Sequence, residues 1–410
     1  MSAVHLVCVE CGQKMSLENS YECNQCGASL EVVYDYSKID KRHVQTLFKE
    51  AKTFWDYHPF LPVRDAGNII SLGEGFTPLI ESRRIGHEMG IDLYFKDETR
   101  NPSCAFKDRP NTVGISVAKE LGINTVTIAS TGNGGASLAA YAAKEGMKCM
   151  VFVPATTPSE KVTQARVHGA EIVKVNGHYS KAYQIALAVS QKYRWANLTS
   201  TYLNPYTMEG DKTIAYEMYQ TMGGQVPDWI VVPLGAGALL SGIYKGYQEL
   251  QAFDMVDKLP RMIGVQAECC SPITSAFENN QDIVLPWKNP STIAGGICDP
   301  LLDYPSDGTR TLKAIRKSGG VGVSVSDESI EHCLHELALK EALFCEPAAS
   351  SSLSAVYSLV AKGVIKKGES VIAMLTGHGL KDVGQVVIRG GEKIEVIDPS
   401  IDAFERAYNI

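Results

Sequence analysis

No stretch of this chain is apolar for long enough to span a bilayer, which sets membrane-spanning functions aside. Its first residues, MSAVHLVCVECGQKM, lack the charged-then-apolar layout of a secretory signal. An excess of positive charge is missing too: 39 Lys and Arg against 46 Asp and Glu give a formal net charge of −7. Nothing electrostatic therefore draws the chain to nucleic acid or to an anionic membrane. Internal repeats and low-complexity tracts are also missing, so no repeat array or biased tail needs explaining. What remains is a globular composition, 45% apolar and 21% charged. A chain of 410 residues is too long for one small core and implies two domains plus an appendage. Without a secretory signal, the 11 cysteines read as reduced thiols and metal ligands rather than disulfides, and a cytoplasmic location is expected.

Four of those cysteines lie in the first thirty residues. Cys8, Cys11, Cys23 and Cys26 form a CxxC–x11–CxxC pattern, with a glycine after the second cysteine of each pair. Each CxxC suits a tight turn that aims two thiolates at one point, and two such turns make a tetrahedral zinc site. Four free cysteines are the plainer alternative. A closed site of four sulfurs leaves no open position for catalysis, so the zinc would be structural. Because the segment precedes every other motif, cofactor retention is expected not to depend on it.

Beyond a mixed helical stretch at about 37–57, short apolar runs alternate with helical patterns. Strands are expected at 91–98, 124–130, 148–154, 170–175, 228–235, 261–267 and 370–376. Helices are expected after Asp108, after the glycines at 132–135, at 158–169, 179–193, 238–250, 327–344 and 347–362. This alternation predicts an α/β fold with a largely parallel sheet. Ligands in such folds sit beyond the carboxyl ends of strands, and the turns after Ser130, Leu234 and Thr376 lie at three such ends.

The tripeptide Phe-Lys-Asp occurs twice, at 95–97 and 106–108. Lys96 is followed by Asp97 and Glu98, whose charges favour an ammonium and a structural role. Lys107 follows the small residues Ser103-Cys104-Ala105 and stands before a helix with Asp108 near its cap and Pro110 in its first turn. The positive end of a helix presses a lysine toward the neutral amine, the form that attacks a carbonyl. A solvated lysine at a helix start is the competing reading, and residue chemistry alone leaves the two open. Cys104 reads as a small packing residue, with a reactive thiol as the alternative.

Asn101-Pro-Ser-Cys-Ala-Phe-Lys-Asp-Arg109 resembles the NP-T/S-x-S-F-K-D-R signature of threonine synthases, within the fold-type II pyridoxal phosphate enzymes. The likeness extends over nearly the whole chain. GEGFTPL (73–79), ASTGNGGAS (129–137), NPYTMEGDKT (204–213), GVQA (264–267), EPAAS (346–350) and LTGHGLKD (375–382) follow in the family's order. N-terminal zinc ribbons occur in some members. The resemblance implies a tryptophan synthase β-like fold, with two open α/β domains plus the small ribbon. Its boundaries would be 1–35 for the ribbon, 45–120 with 209–395 for the large cofactor domain, 121–208 for a small mobile domain, and 396–410 for a tail. A homodimer is the implied assembly.

By the same resemblance, Lys107 carries pyridoxal 5′-phosphate and then serves as acid and base. Asn133 meets the pyridine oxygen, and Ser130 and Thr131 hold the substrate carboxylate. Gly235, Ala236, Gly237, Ala238 and Leu239 cradle the cofactor phosphate, as glycines before a helix can. Thr376 lies beside the pyridine nitrogen and leaves it largely unprotonated, which suits elimination and replacement at a side chain. The implied substrate is a small amino acid, phosphorylated or not. The implied reaction is that of threonine synthase, O-phosphohomoserine and water giving threonine and phosphate. Several positions depart from the family. Thr207 replaces the arginine of NPYRLEG, Thr201 and Tyr202 stand for asparagine and serine, Gly134 stands for a hydroxyl residue, and GAGAL replaces GNAGN. These departures keep a related β-replacement or β-elimination enzyme open, such as a cysteate synthase or a threonine or serine dehydratase. A silent homologue whose ribbon binds a partner is the third reading, and the intact Lys107, Asn133 and Thr376 argue against it.

Overall fold

A computed structural model of the protein describes residues 3–385 and 396–409. Residues 386–395 of the expected large domain lie outside the described residues. Three sheets organise the rest. The N-terminal one is antiparallel, in the order Lys14–Met15, Ala3–Cys8, Leu30–Tyr34. The largest has six strands in the order Val321–Val325, Arg261–Ala267, Trp229–Pro233, Ser370–Leu375, Asp92–Asp97, Leu79–Glu81. Its first five strands are parallel, and only Leu79–Glu81 runs against its neighbour. The third sheet is wholly parallel: Glu171–Val175, Lys148–Pro154, Thr125–Ala129, Ala196–Asn197.

The strands are apolar because both sheet faces are covered. In Trp229–Pro233 every residue is buried. Ile230 and Val232 join Ile372 and Met374 in one core, under Leu239, Leu240 and Ile243 of the helix Ala238–Ala252. Trp229 and Val231 join Val371 and Ala373 in another, under Leu353, Val356 and Leu359 of the helix Pro347–Ala361. Alternate side chains of one strand thus build two cores, as a period of two dictates. A third core lies in the four-stranded sheet, where Val126 and Ile128 pack with Leu138, Val151 and Leu198.

The expected strands and helices form within a few residues of their expected limits. Other elements were not legible. The expected helical stretch at 37–57 divides into a helix Lys41–Glu50 and a 3-10 run Phe54–Phe60 that contains Pro59. Val321–Val325 is short and carries a glycine, yet it closes one edge of the large sheet. The helix Pro305–Lys317 is polar over most of its length and buries only a narrow stripe that includes Leu312 and Ile315. The expected C-terminal tail contains the helix Ile401–Tyr408, capped by Ser400 Oγ, which accepts the Ala403 N–H at 3.2 Å. No helix among the described residues is long and apolar enough to cross a membrane.

Candidate active site

The segment that carries Lys107 is stitched to the end of a central strand. Phe106 N–H donates to Thr376 O at 3.0 Å, and His378 N–H donates to Cys104 O at 3.0 Å. Ala105 and Gly377 pair between them. Asp108, at the start of the helix Asp108–Glu120, accepts Ser103 N–H, Ser103 Oγ and Ser137 Oγ, each at 2.6 Å. Cys104 is exposed and holds φ +63, so it is not the packing residue expected of it.

The two lysines part completely. Lys96 is fully buried; its ammonium donates to Glu217 Oε2 and Thr77 O, both at 2.7 Å. Its sequence neighbours Asp97 and Glu98 serve Thr99, Arg100 and Arg109 instead. Lys107 opens into a cavity of about 1070 Å³. Burial presses its amine down to about 8, against the pull of Asp211, Glu346 and Asp299. Desolvation, rather than the helix end considered from sequence, is the leading cause.

Those three carboxylates were missed in the sequence, although EGDKT and EPAAS contain two of them. Asp211 is 3% exposed, lines the cavity, and has an Oδ1 with no hydrogen-bond partner among the described residues. Burial pushes its carboxyl up to about 7, opposed by Lys107 and Arg109. Burial also raises Asp299 and Glu346.

The same cavity is lined by Ser130, Thr131 and Asn133, by Gly235, Ala236, Gly237, Ala238 and Leu239, and by Thr376. Every residue singled out for cofactor or substrate therefore faces one space, at the carboxyl ends of strands from two sheets. Asn133 begins the helix Asn133–Glu145, and its amide donates to both oxygens of Glu346, at 3.0 and 2.9 Å. Gly237 has φ +97, and a Cβ there would stand 2.3 Å from Thr311 Cγ2. Behind it Ser241 is the first to bond back, to Gly237 O at 3.2 Å. The helix start therefore leaves N–H groups open toward the cavity. This glycine cradle, with a partly neutralised lysine opposite, fits pyridoxal phosphate: open donors for its phosphate and an amine for its carbonyl.

One departure, Gly134, has a steric reason. A Cβ on Gly134 would meet Ser130 Oγ at 3.0 Å and Ile128 Cδ1 at 3.2 Å, which leaves little room for a hydroxyl side chain. Thr207 is buried and spends its hydroxyl on Asn204 O at 2.9 Å. Lys212, the cation nearest it in sequence, is held by Glu209 at 2.6 Å and Glu249 at 3.0 Å. Among the described residues no arginine lines the cavity; beyond Lys107 its lysines are Lys161, Lys288 and Lys381.

At the start of the chain, Cys8, Cys11, Cys23 and Cys26 bring their sulfurs within 4.8 Å of one another. Sulfur separations of 3.4, 3.5 and 3.6 Å resemble the edge of a tetrahedron around zinc, about 3.8 Å for Zn–S bonds of about 2.3 Å. Cys11 N–H and Gln25 N–H point at the sulfurs of Cys8 and Cys23, each at 3.4 Å. The donor set is compatible with zinc.

Known proteins match this arrangement. The family model for pyridoxal-phosphate dependent enzymes matches residues 70–377. The chain is 38% identical over 392 residues to a threonine synthase of Methanocaldococcus jannaschii, covering 95% of this chain and 96% of that one. To a threonine synthase of Methanosarcina acetivorans it is 40% identical over 406 residues, covering 98% of each. Among solved structures, the processed form of threonine deaminase isoform 2 from Solanum lycopersicum aligns with a TM-score of 0.67 at 18% identity, covering 82% of this chain and 93% of that one. That likeness shows the fold alone, a fold-type II architecture. The chain belongs to the pyridoxal-phosphate dependent enzymes, and within them to the threonine synthase family.

Proposed function

We propose that this enzyme is a threonine synthase, converting O-phosphohomoserine and water to threonine and phosphate. The observation that carries the reading is the 38–40% identity to threonine synthases across 95–98% of the chain. Pyridoxal phosphate, when bound, supplies an electron sink for negative charge developed on the substrate's carbons. Lys107 would hold the cofactor and, once released by the substrate amine, move protons at those carbons. Its amine near 8 suits that exchange at neutral pH. The open N–H groups at Gly235–Leu239 would hold the cofactor phosphate. Asn133, oriented by Glu346, would meet the pyridine oxygen, Thr376 would sit beside the pyridine nitrogen, and Ser130 and Thr131 would hold the substrate carboxylate. The four cysteines would bind structural zinc. The family resemblance further supports a cytoplasmic homodimer, built of a ribbon, a large domain and a small mobile domain around the four-stranded sheet.

One observation favours a second reading. A phosphate dianion is best held by charge-assisted donors, yet among the described residues no arginine lines the cavity and Thr207 is already bonded. Lys161 pairs with Asp382 at 3.2 Å and Lys381 donates to Gln164 at 2.6 Å, so beyond Lys107 the remaining lysine on the cavity wall is Lys288. This supports a β-replacement or β-elimination on an amino acid without that phosphate. Product analysis by mass spectrometry over O-phosphohomoserine, phosphoserine, serine and threonine decides. Threonine and phosphate from O-phosphohomoserine establish the first reading, whereas a 2-oxo acid or a replaced side chain from another substrate establishes the second.

A further inference from the structure

The N-terminal ribbon is clasped to the wall of the active site. Arg310, on the helix Pro305–Lys317, donates to Ser29 Oγ at 3.2 Å, Leu30 O at 3.5 Å and Glu31 Oε2 at 3.1 Å. The same guanidinium lies 4.4 Å from the centre of the Tyr202 ring. The Tyr202 hydroxyl donates to Gly237 O at 3.2 Å and meets Thr311 Oγ1 at 2.9 Å. Thr311 is also within 2.6 Å of Ala236 O, and Asp307 accepts the Tyr202 N–H at 3.0 Å. Three neighbouring residues of one helix, Asp307, Arg310 and Thr311, thus join the ribbon, Tyr202 and the 235–239 loop. Lys313 of that helix pairs with Glu10 at 2.9 Å, between Cys8 and Cys11.

The chain of contacts is short and mostly dry. Tyr202 and Thr311 are buried, and the Arg310 side chain is 16% exposed. A guanidinium that is stacked on a ring and bonded to a carboxylate fixes both partners in one geometry. Tyr202 and Thr311 in turn hold the carbonyls of Ala236 and Gly237, and so direct the opposite, N–H side of those peptides into the cavity. The strand Leu30–Tyr34 that Arg310 grips begins four residues after Cys26, so a metal closing the four sulfurs also sets where that strand lies.

We propose that the metal-closed ribbon is a positioning element for the 235–239 loop, acting through Arg310 and Tyr202, so that zinc and the cofactor phosphate favour each other's binding. The proposal rests on the reading of 235–239 as the phosphate cradle. It reverses the expectation that cofactor retention is independent of the ribbon. Linkage makes the effect reciprocal: what zinc adds to cofactor affinity, the cofactor adds to zinc affinity.

The test compares pyridoxal phosphate with phosphate-free pyridoxal, each titrated into the resolved full-length enzyme and followed by absorbance. Arg310→Met is expected to weaken pyridoxal phosphate roughly tenfold and leave pyridoxal unchanged, the loss of about one charge-assisted contact. Stripping zinc with a chelator should reproduce that pattern in the wild type and add little in Arg310→Met. Glu31→Gln keeps the stacked guanidinium and should give a smaller loss of the same kind, which guards against a variant that fails to fold. Unchanged pyridoxal phosphate affinity in every case, or equal losses for both ligands, overturns the proposal. A wild type that binds both ligands alike overturns the phosphate-cradle reading itself, and the proposal falls with it.

Discussion

Lys96 Nζ meets Glu217 Oε2 at 2.7 Å in a pocket where neither side chain is more than 2% exposed. Glu217 also receives Arg109, at 2.5 and 2.7 Å, and Arg109 reaches on to Glu98 at 2.6 and 2.8 Å. A lysine held this way has no free amine to offer a ligand. The second copy of the tripeptide, eleven residues on, carries the lysine that faces the cavity.

Borohydride reduction of the holoenzyme is therefore expected to leave the cofactor on Lys107. Lys107→Ala should lose the adduct. Lys96→Met should keep it while lowering stability by about 3 kcal/mol, since Glu217 loses one of its two buried cations. Peptide mapping of the reduced protein and thermal melts check both, and an adduct on Lys96 would reverse the assignment.

The Lys107 amine is expected to titrate near pH 8 in the cofactor-free protein, not at its ordinary 10.5. Asp211 pulls that value up when ionised, so Asp211→Asn should move the midpoint lower. The difference should be largest above about pH 7, where Asp211 ionises in spite of the burial that raises its carboxyl. The pH dependence of acylation of the Lys107 peptide, read by mass spectrometry, measures it. A midpoint that rises in the variant would show that Asp211 does not face the amine.

Gly237→Ala should discharge the cofactor. Its φ of +97 and the 2.3 Å approach to Thr311 leave no place for a methyl group, and backbone strain there costs about 1–3 kcal/mol before any clash. Gly235→Ala, whose Cβ would meet nothing nearer than Asp299 at 3.5 Å, should keep most of it. Cofactor absorbance after gel filtration distinguishes the two, and equal retention would show that the loop yields.

Elemental analysis of metal-replete protein should find one zinc per chain, and Cys23→Ser should abolish it. Cys104→Ser should not, because Cys104 stands beside Lys107 and outside the group of four sulfurs. Zinc that survives Cys23→Ser would place the metal elsewhere.

Much of this enzyme was legible in its residue order. The CxxC spacing found the four sulfurs because a knuckle is a local turn. Strands such as Trp229–Pro233 showed themselves because full burial on both faces demands a continuous apolar run. The motif order pointed Lys107 to the cofactor where local chemistry left its role open. Tertiary structure alone decided what surrounds them. Asp97 and Glu98 adjoin Lys96 in sequence yet bond elsewhere, while Glu217, more than a hundred residues away, became its partner. Asp211, Asp299 and Glu346 converge on Lys107 from three separate segments, and burial among them, more than the helix start, sets its amine. Arg310 reads as an ordinary charge on a polar helix until folding lays it between the ribbon and Tyr202. Sequence encodes which residues must be buried and where the backbone must turn, because those are local demands. Which buried charges meet is set by the strand order and register of the parallel sheets, which bring residues together regardless of their distance along the chain.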